Sequence, residues 1–363
     1  MNSMQYPVVE VRLDKIYENA KTIVELCIKS GIKTTGVVKG CNGLAEVAFQ
    51  LERAGCTQIA CSRLAHLINL KKKGIKIPLM LFRIPMMCEI ETMIEYVDYS
   101  LNSELETIKA IEHFCKKHSK NHSVILMLDL GDLREGIYDD SELVDLAEYI
   151  ENNLENVNLA GIGTNLGCYG SIKPTKYNLG KLCDVAEKIQ IRIGRKLDII
   201  SGGATTSVPL LLNGEMPVGI NNLRIGEGIL NNQVLPYRWN VNVPNLHQGT
   251  FILKAQVIEV QNKPSYPIGE IFMDGFGNTP TYIDKGIRKR AIVAIGKQDF
   301  AYDQFIFPLK KGLEVLGSSS DHTILDIEEC TEEIKVGDML EFDIYYETML
   351  FLTLAPTVKI VFI

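Results

Sequence analysis

The 363-residue chain exceeds one ordinary domain in length, although a barrel could take up most of it. Its 46% hydrophobic and 23% charged residues are typical of a globular protein with a sizeable core, and they exclude extensive disorder. The formal net charge of −7, without any block of basic residues, argues against nucleic acid or an anionic membrane as a partner.

The N-terminal two thirds of the chain is predicted to alternate short strands with helices. A first strand covers 8–12, and a helix with apolar residues at helical spacing follows it. Another helix, 104–118, has Ser103 and Glu106 at the spacing of a capping box. Eight further apolar strands are separated by helices, and they are predicted at 36–38, 59–62, 78–83, 98–102, 123–130, 159–164, 198–201 and 222–225.

Strands that are apolar on both faces and separated by helices are what a closed parallel (β/α)8 barrel of the TIM type requires. A doubly wound open sheet is the main rival, but eight regular units over roughly 200 residues favour the barrel. The α/β barrel is therefore predicted for residues 12–240.

The pattern changes near Trp239, where Pro236, Pro244 and Gly249 interrupt the chain and helical periodicity ends. The remainder is predicted to be an all-β domain, 241–363, with which the N-terminal strand of residues 1–11 is free to pair. Its strands are predicted at 252–260, 291–295, 313–316, 323–327, 339–342 and 357–362.

A lysine stands at the C-terminal end of the first barrel strand. Lys39 follows the apolar run 36–38, and Gly40 and Gly43 let the chain turn away. Taken alone, a lysine that merely closes a strand is the commoner case. Burial disfavours the cation, however, and a rigid strand can aim a Schiff-base lysine at a cofactor carbonyl.

Glycines and hydroxyl side chains follow the last two barrel strands. Gly202-Gly203-Ala204-Thr205-Thr206-Ser207 and Gly226-Glu227-Gly228 offer close backbone approach, hydroxyl groups and helix N–H groups to an anion. Either segment alone is slightly more consistent with an ordinary glycine-rich turn. Barrels often bind phosphate at this place, and the last strand neighbours the first in a closed circle. An imine-forming lysine beside a phosphate cradle indicates a pyridoxal 5'-phosphate (PLP) site.

The sequence resembles the alanine racemase-like group of PLP enzymes, fold type III, over nearly its whole length. The segments that carry the resemblance are Val37-Val38-Lys39, Thr164-Asn165, Leu223-Arg224-Ile225-Gly226, residues 11–19 and residues 317–322. Within the group, segments 129–136, 165–170, 201–203, 263–265, 286–291 and 319–322 look closer to ornithine racemase-type proteins than to alanine racemase.

The resemblance implies roles for particular residues. Lys39 would hold the cofactor and then serve as one acid/base, Arg224 would face the pyridine nitrogen, and Arg134 would reach the phenolic oxygen or the substrate carboxylate. The plain alternative for Arg224 is an ion pair at the barrel rim, and the plain alternative for Arg134 is a solvated loop residue. The implied cofactor-binding set is Lys39, Arg134, Asn165, Ser201, Gly203, Thr205, Thr206, Arg224, Gly226 and Glu227.

Three positions depart from the family pattern. Asn165 stands where the family has a ring-stacking histidine, and Met127 stands where a lysine is often carbamylated. The usual phosphate-binding tyrosine is absent from Cys41-Asn42-Gly43. These departures argue against a standard alanine racemase.

Racemisation needs a second acid/base on the opposite face of the reacting carbon. The resemblance places Tyr266 of the β-domain at about the right position, with Asp321 and His322 as alternatives, although a tyrosine in a strand is more often a packing residue. In the family this group comes from the partner subunit, so a head-to-tail homodimer is implied.

The predicted function is a PLP-dependent racemase that interconverts the L- and D-forms of ornithine or a related basic amino acid. An alanine or broad-specificity racemase, a PLP-dependent decarboxylase of the same fold and a non-enzymatic PLP carrier are the alternatives. A distal ammonium would need an anion, and five carboxylates are candidates that the sequence cannot rank: Asp132, Glu135, Glu227, Asp274 and Asp321.

The chain has nine scattered cysteines, an odd number without zinc-type spacing. Most of them read as reduced core thiols, and they predict a cytoplasmic protein without a metal. The N-terminus lacks the features of a signal peptide, and no apolar run approaches the length of a membrane span. Four histidines, among them His122, are expected on helices or helix ends at the surface.

Overall fold

The computed structural model describes residues 6–363, and contacts between residues divide the chain into two units. One, the barrel unit, is Leu13–Gln248. The other, the β unit, comprises the residues up to Arg12 together with Gly249–Ile363. The barrel unit extends to Gln248 because Asn19 binds the segment that precedes it: His247 N–H donates to Asn19 Oδ1 at 2.6 Å, and Asn19 Nδ2 donates to the His247 carbonyl at 2.9 Å.

The described chain begins with β1, Val8–Val11, which belongs to the β unit, and then forms a closed eight-stranded parallel barrel. The first and last barrel strands pair in register, with Thr35 opposite Arg224, so the predicted closed barrel is confirmed and the open sheet is excluded. Its strands are β2 (Lys33–Val37), β3 (Gln58–Cys61), β4 (Leu79–Leu81), β5 (Tyr99–Asn102), β6 (His122–Met127), β7 (Val157–Gly163), β8 (Ile199–Ser201) and β9 (Asn222–Ile225).

Helices connect the strands and cover the outside of the barrel. Most carry apolar residues at helical spacing on the buried side, as α1 does with Ile16, Ala20, Ile23 and Cys27. The helices are α1 (Leu13–Ile28), α2 (Ala45–Arg53), α3 (Leu64–Lys73), α4 (Ile90–Tyr96), α5 (Leu105–His118), α6 (Asp140–Asn153), α7 (Lys176–Ile193), α8 (Val208–Leu212) and α9 (Glu227–Leu230).

The inside of the barrel is filled by side chains rather than open. One buried cluster takes a residue from almost every strand: Val37, Ala60, Met80, Leu101, Ile125, Met127, Ala160 and Ile199. Since a packed interior leaves no room for a ligand, polar side chains can act only at the ends of the strands. We call the C-terminal strand ends and the loops that follow them the rim.

The β unit is a sheet with two small helices. Strand β10 (Phe251–Pro264) is long enough to pair with β1 and β15 at its beginning and, past an irregularity at Val257/Glu259, with β11. The other strands are β11 (Ile287–Val293), β12 (Ile306–Pro308), β13 (Glu314–Ser318), β14 (Thr323–Asp326), β15 (Met339–Ile344) and β16 (Lys359–Phe362). Helices α10 (Lys297–Phe300) and α11 (Tyr346–Leu352) correct the expectation that helical structure ends after Trp239.

Two local expectations are wrong. His122 is not a surface residue: it opens β6, is 2% exposed, and its Nε2 lies 2.8 Å from the Ser100 hydroxyl. The capping box at Ser103 does not form, because the helix begins only at Leu105 with Glu104 as its N-cap. Glu106 instead pairs with Lys109 along the helix, at 2.8 Å.

Candidate active site at the barrel rim

Lys39 lies in a tight turn at the C-terminal end of β2. Residues Lys39–Cys41 form one turn of 3-10 helix, and Gly43 N–H closes the turn by donating to the Val38 carbonyl at 3.0 Å. Gly43 has a φ of +70°, and a Cβ there would lie 2.5 Å from the Cβ of His66. Only glycine fits this position, so the turn fixes the backbone from which Lys39 extends.

The Lys39 side chain is half-buried, and its ammonium lies 5.6 Å from the centre of the Phe82 ring. Burial lowers the pKa of Lys39; the charge of Arg134 lowers it further, whereas the charge of Glu135 raises it. A lowered pKa increases the unprotonated fraction of a lysine at neutral pH, which is the form that attacks a carbonyl.

Arg224 is a fixed, buried cation on the neighbouring strand β9. It is 4% exposed; its Nη1 donates to the Ser201 hydroxyl at 2.5 Å and its Nη2 to the Thr164 carbonyl at 2.7 Å. Burial lowers the pKa of Arg224 to about 10, which still leaves it protonated at neutral pH. The charges of Glu135 and Arg134 also act on the pKa of Arg224, so these three side chains share the electrostatic environment of Lys39.

A chain of buried hydrogen bonds holds the Ser201 hydroxyl in place beneath Arg224. Ser201 Oγ donates to Asn222 Oδ1 at 2.7 Å, Asn222 Nδ2 donates to Thr35 Oγ1 at 2.9 Å, and Thr35 Oγ1 donates to Gln58 Oε1 at 2.8 Å. Because the hydrogen of Ser201 is used in this chain, its oxygen is presented to Arg224 as an acceptor. Ser201 therefore positions the guanidinium.

Two rim loops are joined by one carboxylate. Asp132 lies in loop A, residues 129–136, and its two oxygens accept the N–H groups of Gly167 and Tyr169 in loop B, residues 165–170, at 2.9 and 3.0 Å. Asp132 is 2% exposed, and these backbone donors hold its pKa below the usual value against the opposing effect of burial. Loops A and B consequently form one unit over the ends of β6 and β7.

Two close approaches shape the predicted phosphate cradle. Gly203 has a φ of +100°, and a Cβ there would lie 3.0 Å from Ser207 Oγ. A Cβ on Gly226 would lie 3.1 Å from the Cβ of Val37, the last residue of β2. A side chain at Gly226 would therefore press on the end of β2, just before the Lys39 turn, and one at Gly203 would press on Ser207.

The hydroxyl groups of the cradle differ in what they can still donate. Thr205 Oγ1 accepts the Gly228 N–H at 3.2 Å, so in the described contacts its own hydrogen stays available. Thr206 Oγ1 donates to the Leu166 carbonyl at 3.0 Å and would have to give up that bond to bind a ligand. The Gly228 N–H was predicted to bind an anion, but it donates to Thr205 Oγ1 instead.

Glu227 is the first residue of α9, and its carboxylate binds backbone N–H groups that follow this helix. Its Oε1 accepts the N–H groups of Gln233 and Val234 at 2.6 and 2.8 Å. Only the backbone of Glu227 is therefore suited to a phosphate.

Two buried polar atoms directly after β7 have no hydrogen-bond partner among residues 6–363. They are Thr164 Oγ1 and Asn165 Nδ2, at the end of β7. A buried polar atom without a partner costs free energy, and in a native protein it indicates a ligand or solvent group that completes the bond.

The three candidates for the second acid/base all lie in the β unit. Tyr266 follows β10, is 43% exposed, and packs edge-on against Tyr282 with ring centres 6.2 Å apart. Asp321 and His322 form the turn between β13 and β14, where His322 Nδ1 lies 2.7 Å from Asp321 Oδ1. Hydrogen bonding to His322 lowers the pKa of Asp321. The roles of all three stay predictions.

The sequence profile described as "Alanine racemase, N-terminal domain" matches residues 11–230, more than half of the chain. The chain belongs to the alanine racemase family. It is 44% identical over 348 residues to the ornithine racemase of Acetoanaerobium sticklandii, covering 95% of this chain and 96% of that protein. It is 38% identical over 365 residues to the lysine racemase of Thermotoga maritima, covering 99% of each.

A solved alanine racemase from Clostridium difficile 630 matches this family member with a TM-score of 0.78 at 22% identity, covering 100% of this chain and 97% of that chain. This likeness shows the shared fold. Within residues 6–363, no group of three or more His, Cys, Asp or Glu side chains is arranged to hold a metal ion. No helix in the same range is long and apolar enough to cross a membrane.

The structure brings the predicted barrel residues of this family member together at one rim, adds Phe82, which the sequence did not single out, and gives Thr164 and Asp132 contacts that the sequence did not assign. Phe82 flanks Lys39, Thr164 contributes an orphaned hydroxyl, and Asp132 joins the loops. Phe82 could have been found, since it directly follows the barrel strand β4. The role of Asp132 depends on the spatial approach of two loops and has no local sequence pattern.

Proposed function

We propose that this protein is a PLP-dependent racemase that acts on ornithine, lysine or a similar basic amino acid. The two full-length relatives named ornithine racemase and lysine racemase support this substrate class. The observation in this chain that carries the proposal is the pairing of a half-buried Lys39 of lowered pKa with the buried, fixed cation Arg224 at one barrel rim.

The residues present fit PLP. The orphaned atoms of Thr164 and Asn165 provide hydrogen-bonding groups for a ligand, and the hydrogen of the Thr205 hydroxyl is available to a phosphate. When bound, PLP supplies an electron-withdrawing ring that makes the Cα–H bond of an attached amino acid acidic. Lys39 would hold the cofactor carbonyl, and the backbone of Gly226 with the Thr205 hydroxyl would hold the phosphate.

Arg224 is proposed to face the pyridine nitrogen. Its guanidinium keeps its protons at neutral pH, so it leaves the ring nitrogen largely unprotonated. A less electron-withdrawing ring favours prompt return of a proton to Cα over side reactions such as transamination. Arg134 is proposed to bind the substrate carboxylate or the phenolic oxygen, and Asn165 to lie beside the ring.

Lys39 moves the proton on one face of Cα, and we propose that Tyr266 does so on the other, with Asp321 and His322 next in order. The family pattern implies that these β-unit residues come from a second copy of the chain in a head-to-tail homodimer. Tyr266→Phe should abolish racemisation while exchange of the Cα hydrogen with solvent persists for one enantiomer. Tyr282→Phe is the matched control, since Tyr282 is equally exposed, at 43%, and packs against Tyr266. Unchanged racemisation in Tyr266→Phe would exclude this role.

The function is tested by incubating the purified protein and PLP with single L-amino acids in heavy water. Ornithine and lysine should gain deuterium at Cα and lose optical rotation, and alanine should react far more slowly. Release of carbon dioxide would instead indicate a decarboxylase, and inertness toward every amino acid would indicate a carrier. Cytoplasmic location stays a prediction.

A further inference from the structure

We propose that Glu135 selects basic amino acids by accepting the hydrogen bonds of their distal ammonium group. This inference rests on the proposed racemase function and adds to it the residue that discriminates between substrates. Glu135 lies in loop A, where its carboxylate forms an ion pair with Arg134; Glu135 Oε1 accepts from Arg134 Nη2 at 2.6 Å.

Loop A is closed at its base, which holds Glu135 near the end of β6. Asp129 N–H donates to the Ile137 carbonyl at 2.9 Å, and Ile137 N–H donates to the Met127 carbonyl at 2.8 Å. A Cβ on Gly136 would lie 2.7 Å from the Asp129 nitrogen, so the two ends of the loop touch. Because Glu135 directly precedes this closure, it stays close to the rim.

The rim needs an anion if it is to admit a substrate with a second positive charge. Lys39, Arg134 and Arg224 are cations there, and the charge of Arg134 lowers the pKa of each of the other two. Glu135 is the carboxylate whose charge raises the pKa of both Lys39 and Arg224. An incoming distal ammonium would be repelled by three cations without this carboxylate.

The other acidic side chains of the barrel unit that the sequence offered for this task are already used by backbone donors. Asp132 holds loop B through two N–H groups, and Glu227 accepts two N–H groups of the segment after α9. Their removal from these bonds would leave part-buried N–H groups without their acceptors. Glu135 is bonded to a side chain instead, and the side chain of that partner, Arg134, is 39% exposed.

The Arg134–Glu135 pair suggests how a basic amino acid enters. Such a substrate carries an anionic carboxylate and a distal cation, so it can separate the pair and neutralise both members. Arg134 would turn to the carboxylate and Glu135 to the ammonium. A substrate with an apolar side chain neutralises only Arg134 and leaves Glu135 half-buried without its partner, which disfavours it.

The test compares L-ornithine with L-norleucine, in which a methyl group replaces the distal ammonium. In the Glu135→Gln holoenzyme the ratio of kcat/KM for ornithine over norleucine should fall about 10- to 100-fold, as expected for loss of a hydrogen bond to a charged group. Equilibrium titration of each amino acid, followed by cofactor absorbance, should show the same fall in the ratio of dissociation constants. Glu135→Asp should retain part of the preference. Glu155→Gln, which changes an exposed carboxylate before β7, should retain all of it.

A ratio that stays within about threefold of the wild-type ratio in Glu135→Gln would overturn the inference, because a general effect through Arg134 changes both substrates alike and cancels. Should Glu135→Gln fail to fold, the same ratio in Glu135→Asp decides, and an unchanged preference there also overturns it. Wild-type protein that racemises no amino acid refutes the proposed function itself, and this outcome is distinct from an unchanged ratio in an active enzyme.

Discussion

Asp132→Asn should separate the two rim loops that this carboxylate joins. Both Asp132 oxygens accept backbone N–H groups of loop B, from Gly167 at 2.9 Å and Tyr169 at 3.0 Å. Asparagine has nearly the same shape but offers one oxygen and one NH2 group. One N–H of loop B therefore keeps a neutral acceptor, and the other faces a donor.

The magnitude follows from the bonds that are lost. A hydrogen bond to a charged group contributes about 1.5–3 kcal/mol, and a buried N–H left unpaired costs about 1–3 kcal/mol. Since Asp132 is 2% exposed, water cannot easily replace the lost acceptor. We expect the free energy of local opening of loop B to fall by about 2–4 kcal/mol, which corresponds to roughly 30- to 1,000-fold faster amide exchange.

Hydrogen exchange followed by mass spectrometry measures this directly on the PLP-saturated protein. A peptide that covers 165–170 should exchange faster in Asp132→Asn by that factor, and peptides from the β unit should not change. Glu155→Gln serves as the control because it also replaces a carboxylate by an amide in the barrel unit. Exchange of the 165–170 peptide within about threefold of wild type would refute the view that Asp132 holds the loops together.

Two further predictions concern stability and the cradle. Burial lowers the pKa of His122 to about 4 from its usual 6.5, so the folded state favours the neutral histidine. The contribution of neutral His122 to the free energy of unfolding is therefore complete above pH 6.5. As the pH falls toward 4, about 3 kcal/mol of this free energy is lost. His122→Asn should flatten this pH dependence and His113→Asn, at an exposed position, should not; an equal slope in both variants contradicts the assignment. Gly226→Ala should weaken PLP binding and lower the free energy of unfolding by about 1–3 kcal/mol, because the new Cβ meets Val37 at 3.1 Å. Gly180→Ala, inside α7 with nothing within 4 Å, should instead be stabilising by about 0.5–1 kcal/mol, and equal effects of both substitutions would count against a tight cradle.

The barrel could be predicted because the sequence patterns of its strands and helices are local and repeat along the chain. Each of the eight strands predicted from an apolar run overlaps an observed one, for example 222–225 with Asn222–Ile225. A regular alternation of strand and helix leaves few arrangements other than a closed parallel barrel. The prediction of the β unit was less complete. It missed the strand Ile306–Pro308 and the helix Tyr346–Leu352, because both are too short for hydrophobic periodicity to reveal them.

Local patterns failed where contacts distant in sequence decide the outcome. Ser103 and Glu106 have the spacing of a capping box, but the backbone at Glu104 stays extended and the helix starts one residue later. His122 is buried because β6 begins at that residue and its ring meets Ser100 on the neighbouring strand. Neither fact follows from the residues on each side.

The candidate site was predictable to the extent that strand ends converge in a barrel. Lys39 and Arg224 could be placed near each other because they end the first and last strands, which must pair. The closure of loop A, the Asp132 contacts and the engagement of the Thr206 hydroxyl depend on how loops fold onto one another. The sequence therefore offered five carboxylates without a ranking, and the hydrogen bonds of the described residues distinguish Glu135 from Asp132 and Glu227.

Attachment of the cofactor to Lys39 can be measured by reducing the PLP-loaded protein with borohydride and locating the bound pyridoxyl group by peptide mass spectrometry. We expect the group on the peptide that contains Lys39, and Lys39→Ala should abolish both the label and the absorbance of the protonated imine. A label on any other lysine, or none in wild-type protein with excess PLP, would contradict the role of Lys39.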